Sequence, residues 1–193
     1  MRRAGNWPSF LLWIALLWIA LLWIADRRME PTIILKRPVV GLNQRTLAAF
    51  VVQACRAAGL KGTVTVMVTG SREMRSLNLR FSGKSRATDV LSFPAPAFVN
   101  GFAGDIAVSL DIAARNARAL GHSVAEEVRI LVLHGVLHLA GYDHEDDQGA
   151  MAKKEQSLRK RLALPTGLIE RNSASGGRLK RATLGVRQKQ TRA

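Results

Sequence analysis

The chain has 193 residues, 48% of them apolar, one cysteine and a formal net charge of +15. That apolar share is enough for one domain core and excludes a wholly disordered polypeptide; a lone cysteine excludes an intrachain disulfide and gives no sign of an oxidising compartment. Residues 171–193 hold seven Lys or Arg and no acid, and residues 1–28 hold four basic residues and one acid, so only +5 falls on residues 29–170.

In chain order, the first feature is "LLWIALLWIALLWIA", one pentamer repeated three times. The apolar run from Phe10 to Ala25 is 16 residues long, short of the ~20 that a helix needs to cross a bilayer. Arg2 and Arg3 precede it, but no small-x-small cleavage site follows. Two readings compete: a short membrane anchor, or a tandem duplication of upstream DNA with Met29 as the true start. A five-residue repeat keeps no single helical face, and the expectation is the second reading. From Met29 the pattern is that of a compact domain ending near residue 166. "TIILK" (32–36) predicts a strand, and residues 44–58 a helix stopped by Gly59. Cys55 lies on that helix and reads as a small buried residue. "TVTVMV" (63–68) alternates as a strand, and Ser71 is placed to cap a short helix through Leu79. "TDVLSF" (88–93) and "GDIAVSL" (104–110) are further strands, followed by a helix over 111–120 ended by Gly121. Ser123 with Glu126 makes a capping box and opens a helix through His134 and His138. A last helix spans 147–162, before Pro165. The expected fold class is α+β: a single domain with a small mixed β-sheet packed with helices. Residues 167–193, rich in Gly, Ser and positive charge, are expected to be a disordered basic tail.

Three of the four histidines fall within "HGVLHLAGYDH", residues 134–144. Residues four apart on a helix share a face, so His134 and His138 present their rings side by side. Gly141 supplies the left-handed residue that ends the helix and turns the chain back, letting His144 join them. Three neutral imidazoles with an open fourth position suit a catalytic zinc site on a helix and the turn following it, although imidazoles also accept nickel, cobalt or copper. The spacing equals the metzincin protease pattern except that Gly135 stands where the protease has its general-base Glu. Metal geometry is therefore expected without the protease's base. Such a site makes hydroxide available near neutral pH and suits an anionic phosphodiester. Asp143 is a candidate to orient a ligand or act on the water, or else an exposed turn carboxylate. Glu145, Asp146 and Asp147 read as acids at a helix start, and Tyr142 either lines the site or packs beside it.

The eleven-residue motif resembles the signature of the YbeY family of metal-dependent endoribonucleases. "SLNLRFSGKSRATDVLSFP" (76–94) and "GDIAVSL" (104–110) are similar to two further family segments in the same order. The likeness spans residues 31 to 163. It implies one α+β domain with a mixed sheet and one zinc held by His134, His138 and His144; the catalytic candidates are His134 and Asp143. It also implies cleavage of single-stranded RNA in 3′-end maturation of small-subunit ribosomal RNA and a part in ribosome quality control. The implied setting is the cytoplasm, with the small ribosomal subunit and its assembly factors as partners and no membrane anchor. One departure stands out: the family places an Arg after the aromatic of the first motif, and here Ser82 follows Phe81. Arg80, Lys84 and Arg86 are the candidate phosphate-binding residues nearby, or else a solvated basic loop. The basic tail suits attraction to RNA backbone by counterion release. The rival readings are a metalloprotease-like hydrolase with another base, a membrane-tethered hydrolase, and a non-catalytic ribosome-assembly module with a structural metal.

Overall fold

A computed structural model describes residues 30–96, 98–142 and 149–165. Among them are four strands, β1 (Thr32–Leu35), β2 (Thr63–Thr69), β3 (Val90–Pro94) and β4 (Phe102–Ser109). Five helices accompany them: α1 (Gln44–Ala58), α2 (Ser71–Ser82), α3 (Leu110–Leu120), α4 (Val124–Leu139) and α5 (Ala150–Arg161). The sheet order is β1-β2-β4-β3, with β1, β2 and β4 parallel and β3 antiparallel to β4. This is the α+β class, with a small mixed sheet. The apolar repeat at 10–25, Asp143, His144 and the tail lie outside the described residues, within which no helix is long and apolar enough to cross a membrane.

Strand alternation sorts the sheet into two faces. Val64, Val66, Val68, Ile106 and Val108 are all buried at 1% exposure or less and point to one side, where α1 and α4 pack. α5 lies against both of those helices. The other face is more open: Thr32 and Ile34 are exposed, Thr65 and Met67 half-buried. α2 covers part of it, meeting β4, and the buried Met74 and Ala107 belong to this smaller contact rather than to the main core. The Cys55 thiol sits in the main core, and burial pushes its pKa up to about 11, so it is an inert core residue.

Most helix ends follow their local signals. The Ser123–Glu126 capping box is formed at the start of α4, with Ser123 accepting from the Glu126 amide and Glu126 accepting from the Ser123 amide. Two ends differ from expectation. Ser71 is the first residue of α2 rather than its cap, and the cap position is Gly70, which offers no side chain. The missing acceptor comes from Asp111 at the start of α3, whose carboxylate accepts from the Ser71 amide at 2.7 Å and pairs with Arg37. Those two contacts hold the Asp111 carboxyl below its usual range, as Lys36 and Thr69 do for Glu73. Consequently the loops after β1, β2 and β4 are tied together at one end of the sheet. α2 also continues three residues past Leu79, through Phe81 and Ser82, because nothing breaks it before Gly83.

Candidate metal centre

α4 is buried along almost its whole length, from Val128 to Leu137, so it runs through the interior rather than over it. Its two ends are fixed differently. At the start, fully buried Glu127 accepts a hydrogen bond from Asn116 of α3 at 3.0 Å and lies 2.8 Å from His122 Nε2. The fourth histidine of the chain thus has a structural task, fastening α3 to α4. At the other end the Gly141 amide donates to the His138 carbonyl at 3.0 Å and the Tyr142 amide to the Leu137 carbonyl at 3.0 Å. Gly141 has φ +87°. This paired closure is a Schellman ending, and it reverses the chain immediately after His138, as the sequence predicts.

His134 and His138 meet as the four-residue spacing requires. Their ring centroids are 4.8 Å apart, and the two Nε2 atoms approach to 3.1 Å. Two imidazole nitrogens bound to one zinc at 2.0–2.1 Å and a tetrahedral angle would lie about 3.3 Å apart. The pair is therefore spaced as two ligands of one cation. The other side of His134 carries the decisive partner. Its Nδ1 lies 2.9 Å from Glu155 Oε2, a carboxylate of α5 that is 1% exposed. With the hydrogen of that contact on Nδ1, Nε2 presents its lone pair toward His138. A buried carboxylate behind a ligating histidine fixes ring orientation and raises ligand basicity.

His134 and His138 fit zinc in ligand type and in the separation of their Nε2 atoms. Among the described residues no group of three His, Cys, Asp or Glu side chains is placed to hold a metal ion. The third expected ligand, His144, and the candidate Asp143 lie outside them. Tyr142 is half-buried and packs against the core. Arg80, Lys84 and Arg86 are exposed on the end of α2 and the loop leading to β3.

Glu155 was not among the residues singled out by sequence, yet a signal was present. In α5 the buried positions Met151, Glu155 and Leu158 form one inward stripe at helical spacing, with a carboxylate in the middle of it. Glu155→Gln keeps the volume and an acceptor but removes the charge. Zinc affinity is expected to fall about 10- to 100-fold, measured by competition with a chromophoric chelator; unchanged affinity would make Glu155 a packing residue only.

Gly135 explains itself once the sheet is in view. A Cβ there would stand 2.8 Å from Ile106 Cγ2 and 3.0 Å from Ser92 Oγ. Ser92 also donates to the Gly135 carbonyl at 3.3 Å. The position that carries a general base in metzincins here faces the sheet at a distance only glycine allows.

The family model described as Endoribonuclease YbeY matches residues 37–163. The chain is 56% identical over 141 residues to Endoribonuclease YbeY of Koribacter versatilis, covering 73% of this chain and 91% of that one. It is 48% identical over 109 residues to the protein of that name from Nautilia profundicola, covering 56% and 78% respectively. The corresponding figures for Solibacter usitatus are 52% over 107 residues, 54% and 69%. A looser likeness, with a TM-score of 0.49 at 25% identity, relates it to the solution structure of TM1509 from Thermotoga maritima, across 81% of this chain and 99% of that one.

Proposed function

The chain belongs to the YbeY endoribonuclease family, and from that premise we propose that it is a zinc-dependent endoribonuclease specific for single-stranded RNA. The observation that carries this reading is the pair of Nε2 atoms on His134 and His138, one of them backed by buried Glu155. His134, His138 and His144 would hold one zinc per chain. Zinc bound there supplies a Lewis acid for a phosphoryl oxygen and brings the pKa of a coordinated water toward neutrality.

The protein's own groups do the rest. Glu155 keeps the Nδ1 hydrogen on His134, so that Nε2 stays a donor of electrons. Asp143 is assigned the part of orienting the attacking water or taking its proton. Arg80, Lys84 and Arg86 draw in the RNA backbone and offset phosphate charge, which Ser82 cannot do in place of the family's Arg. The family resemblance directs this activity to 3′-end maturation of small-subunit ribosomal RNA and to ribosome quality control. It makes the small ribosomal subunit and its assembly factors the partners, in the cytoplasm.

The close packing of Gly135 on the sheet speaks against the metalloprotease reading, since no base can occupy that place without displacing Ile106. The test is to assay purified full-length protein for zinc content and for cleavage of single-stranded RNA, duplex RNA and casein, each with and without chelator. Stoichiometric zinc and single-strand cleavage that chelator removes and zinc restores are expected. Zinc binding with no RNA cleavage would instead indicate an assembly module with a structural metal, and chelator-sensitive loss of casein a protease.

A further inference from the structure

The open face of the sheet carries a feature that the metal centre does not use. Phe81, on the last turn of α2, is 59% exposed although it is a large aromatic on a well-formed helix. Its ring leans on Phe93 of β3, centroids 4.7 Å apart and planes tilted by 53°. The Arg80 guanidinium lies 5.5 Å from the Phe81 ring centroid. Every residue from Leu79 to Arg86 is exposed, and this run contains Arg80, Lys84 and Arg86 with no acidic residue among them. Exposed aromatics usually find cover in a partner, and here the surroundings say of what kind. A ring held at a fixed tilt among cations matches a nucleic-acid strand, whose bases stack and whose phosphates are anionic.

The position relative to the histidines is also fixed. Ser92 contacts the carbonyl of Gly135, the residue after His134, and Phe93 is the next residue along β3. Alternation sends the Phe93 ring to the opposite face from Ser92. β3 ends the sheet, being paired only with β4, so the two faces meet along its outer side. A strand passing that edge has the aromatic pair on one face and α4 on the other.

We propose that Phe81, braced by Phe93 and flanked by Arg80, is a stacking platform for one unpaired base of the RNA that enters the histidine centre. The proposal rests on the endoribonuclease reading and adds to it the means of selecting single strands: a base within a duplex presents no free face to stack. Phosphate contacts made by the neighbouring cations hold duplex and single strand alike.

The experiment compares the full-length protein with Phe81→Ala and Phe81→Trp, using a single-stranded RNA substrate and a dye-labelled 2′-O-methyl strand, alone and as a duplex. Phe81→Ala should weaken binding of the single strand about tenfold and raise KM to match, with kcat within about twofold of the parent. Phe81→Trp should bind at least as well as the parent, and duplex affinity should be unchanged in both variants. Because Phe81 is exposed, the melting temperature serves as the control for folding. Parent protein that cleaves RNA while Phe81→Ala binds single strands normally, or loses duplex and single strand equally, overturns the platform and leaves the nuclease reading standing. Parent protein that neither binds nor cleaves RNA overturns both.

Discussion

His138→Ala should abolish chelator-sensitive RNA cleavage while leaving the protein folded. A metal Lewis acid contributes several kcal/mol of transition-state stabilisation, and each 1.36 kcal/mol is tenfold in rate, so loss of a ligand is expected to cost about three orders of magnitude or more. His138 is the better choice than His134 for this test. His134 is 6% exposed and hydrogen-bonded to buried Glu155, so replacing it disturbs a carboxylate inside the protein as well as the metal site. His138 is half-buried at the end of α4, and its removal keeps the His134–Glu155 pair. With excess chelator present, so that bound metal stabilises neither protein, parent and variant should melt within about 3 °C of each other. Retained cleavage in His138→Ala would remove the histidine pair from the mechanism.

The second large effect belongs to Gly135. Ile106 is 1% exposed, and its Cγ2 and Cδ1 atoms would lie 2.8 and 3.1 Å from an added Cβ. Neither α4 nor β4 can move aside easily, since both are in the main core. Gly135→Ala is expected to lose about 1–3 kcal/mol by overpacking, seen as a fall in melting temperature of roughly 5–10 °C. Gly135→Glu, the change that completes the metzincin pattern on paper, adds a buried charge to the same clash. It should give unstable protein with no peptidase activity. A stable Gly135→Glu variant that digests casein would show that the absent base alone separates the two chemistries.

These residues also mark where sequence reasoning reaches and where it stops. Signals confined to a few neighbouring residues are legible. The Ser123–Glu126 capping box, the Gly141 turn and the side-by-side histidines each depend on contacts within one or two helical turns. The mixed sheet was legible as a class, from β-branched runs with helices mixed around them. What was not legible depends on long-range packing. Gly135 reads in sequence as a missing catalytic group and in three dimensions as the contact between α4 and the β3–β4 pair. Glu155 reads as one more charge in a charged helix until burial singles it out. The cap on α2 comes from a residue 40 positions away, and no local rule could supply it. Phe81 enters the sequence only as the aromatic of the family motif; its place on a final helical turn beside β3 depends on α2 running past Leu79.

The His134–Glu155 contact spans 21 residues and joins the helix that bears the histidines to the last helix described. Glu155 follows the sheet and α4 in the chain, so its contact with His134 forms only when α5 docks. The orientation of the His134 ring is thereby tied to the docking of the closing helix.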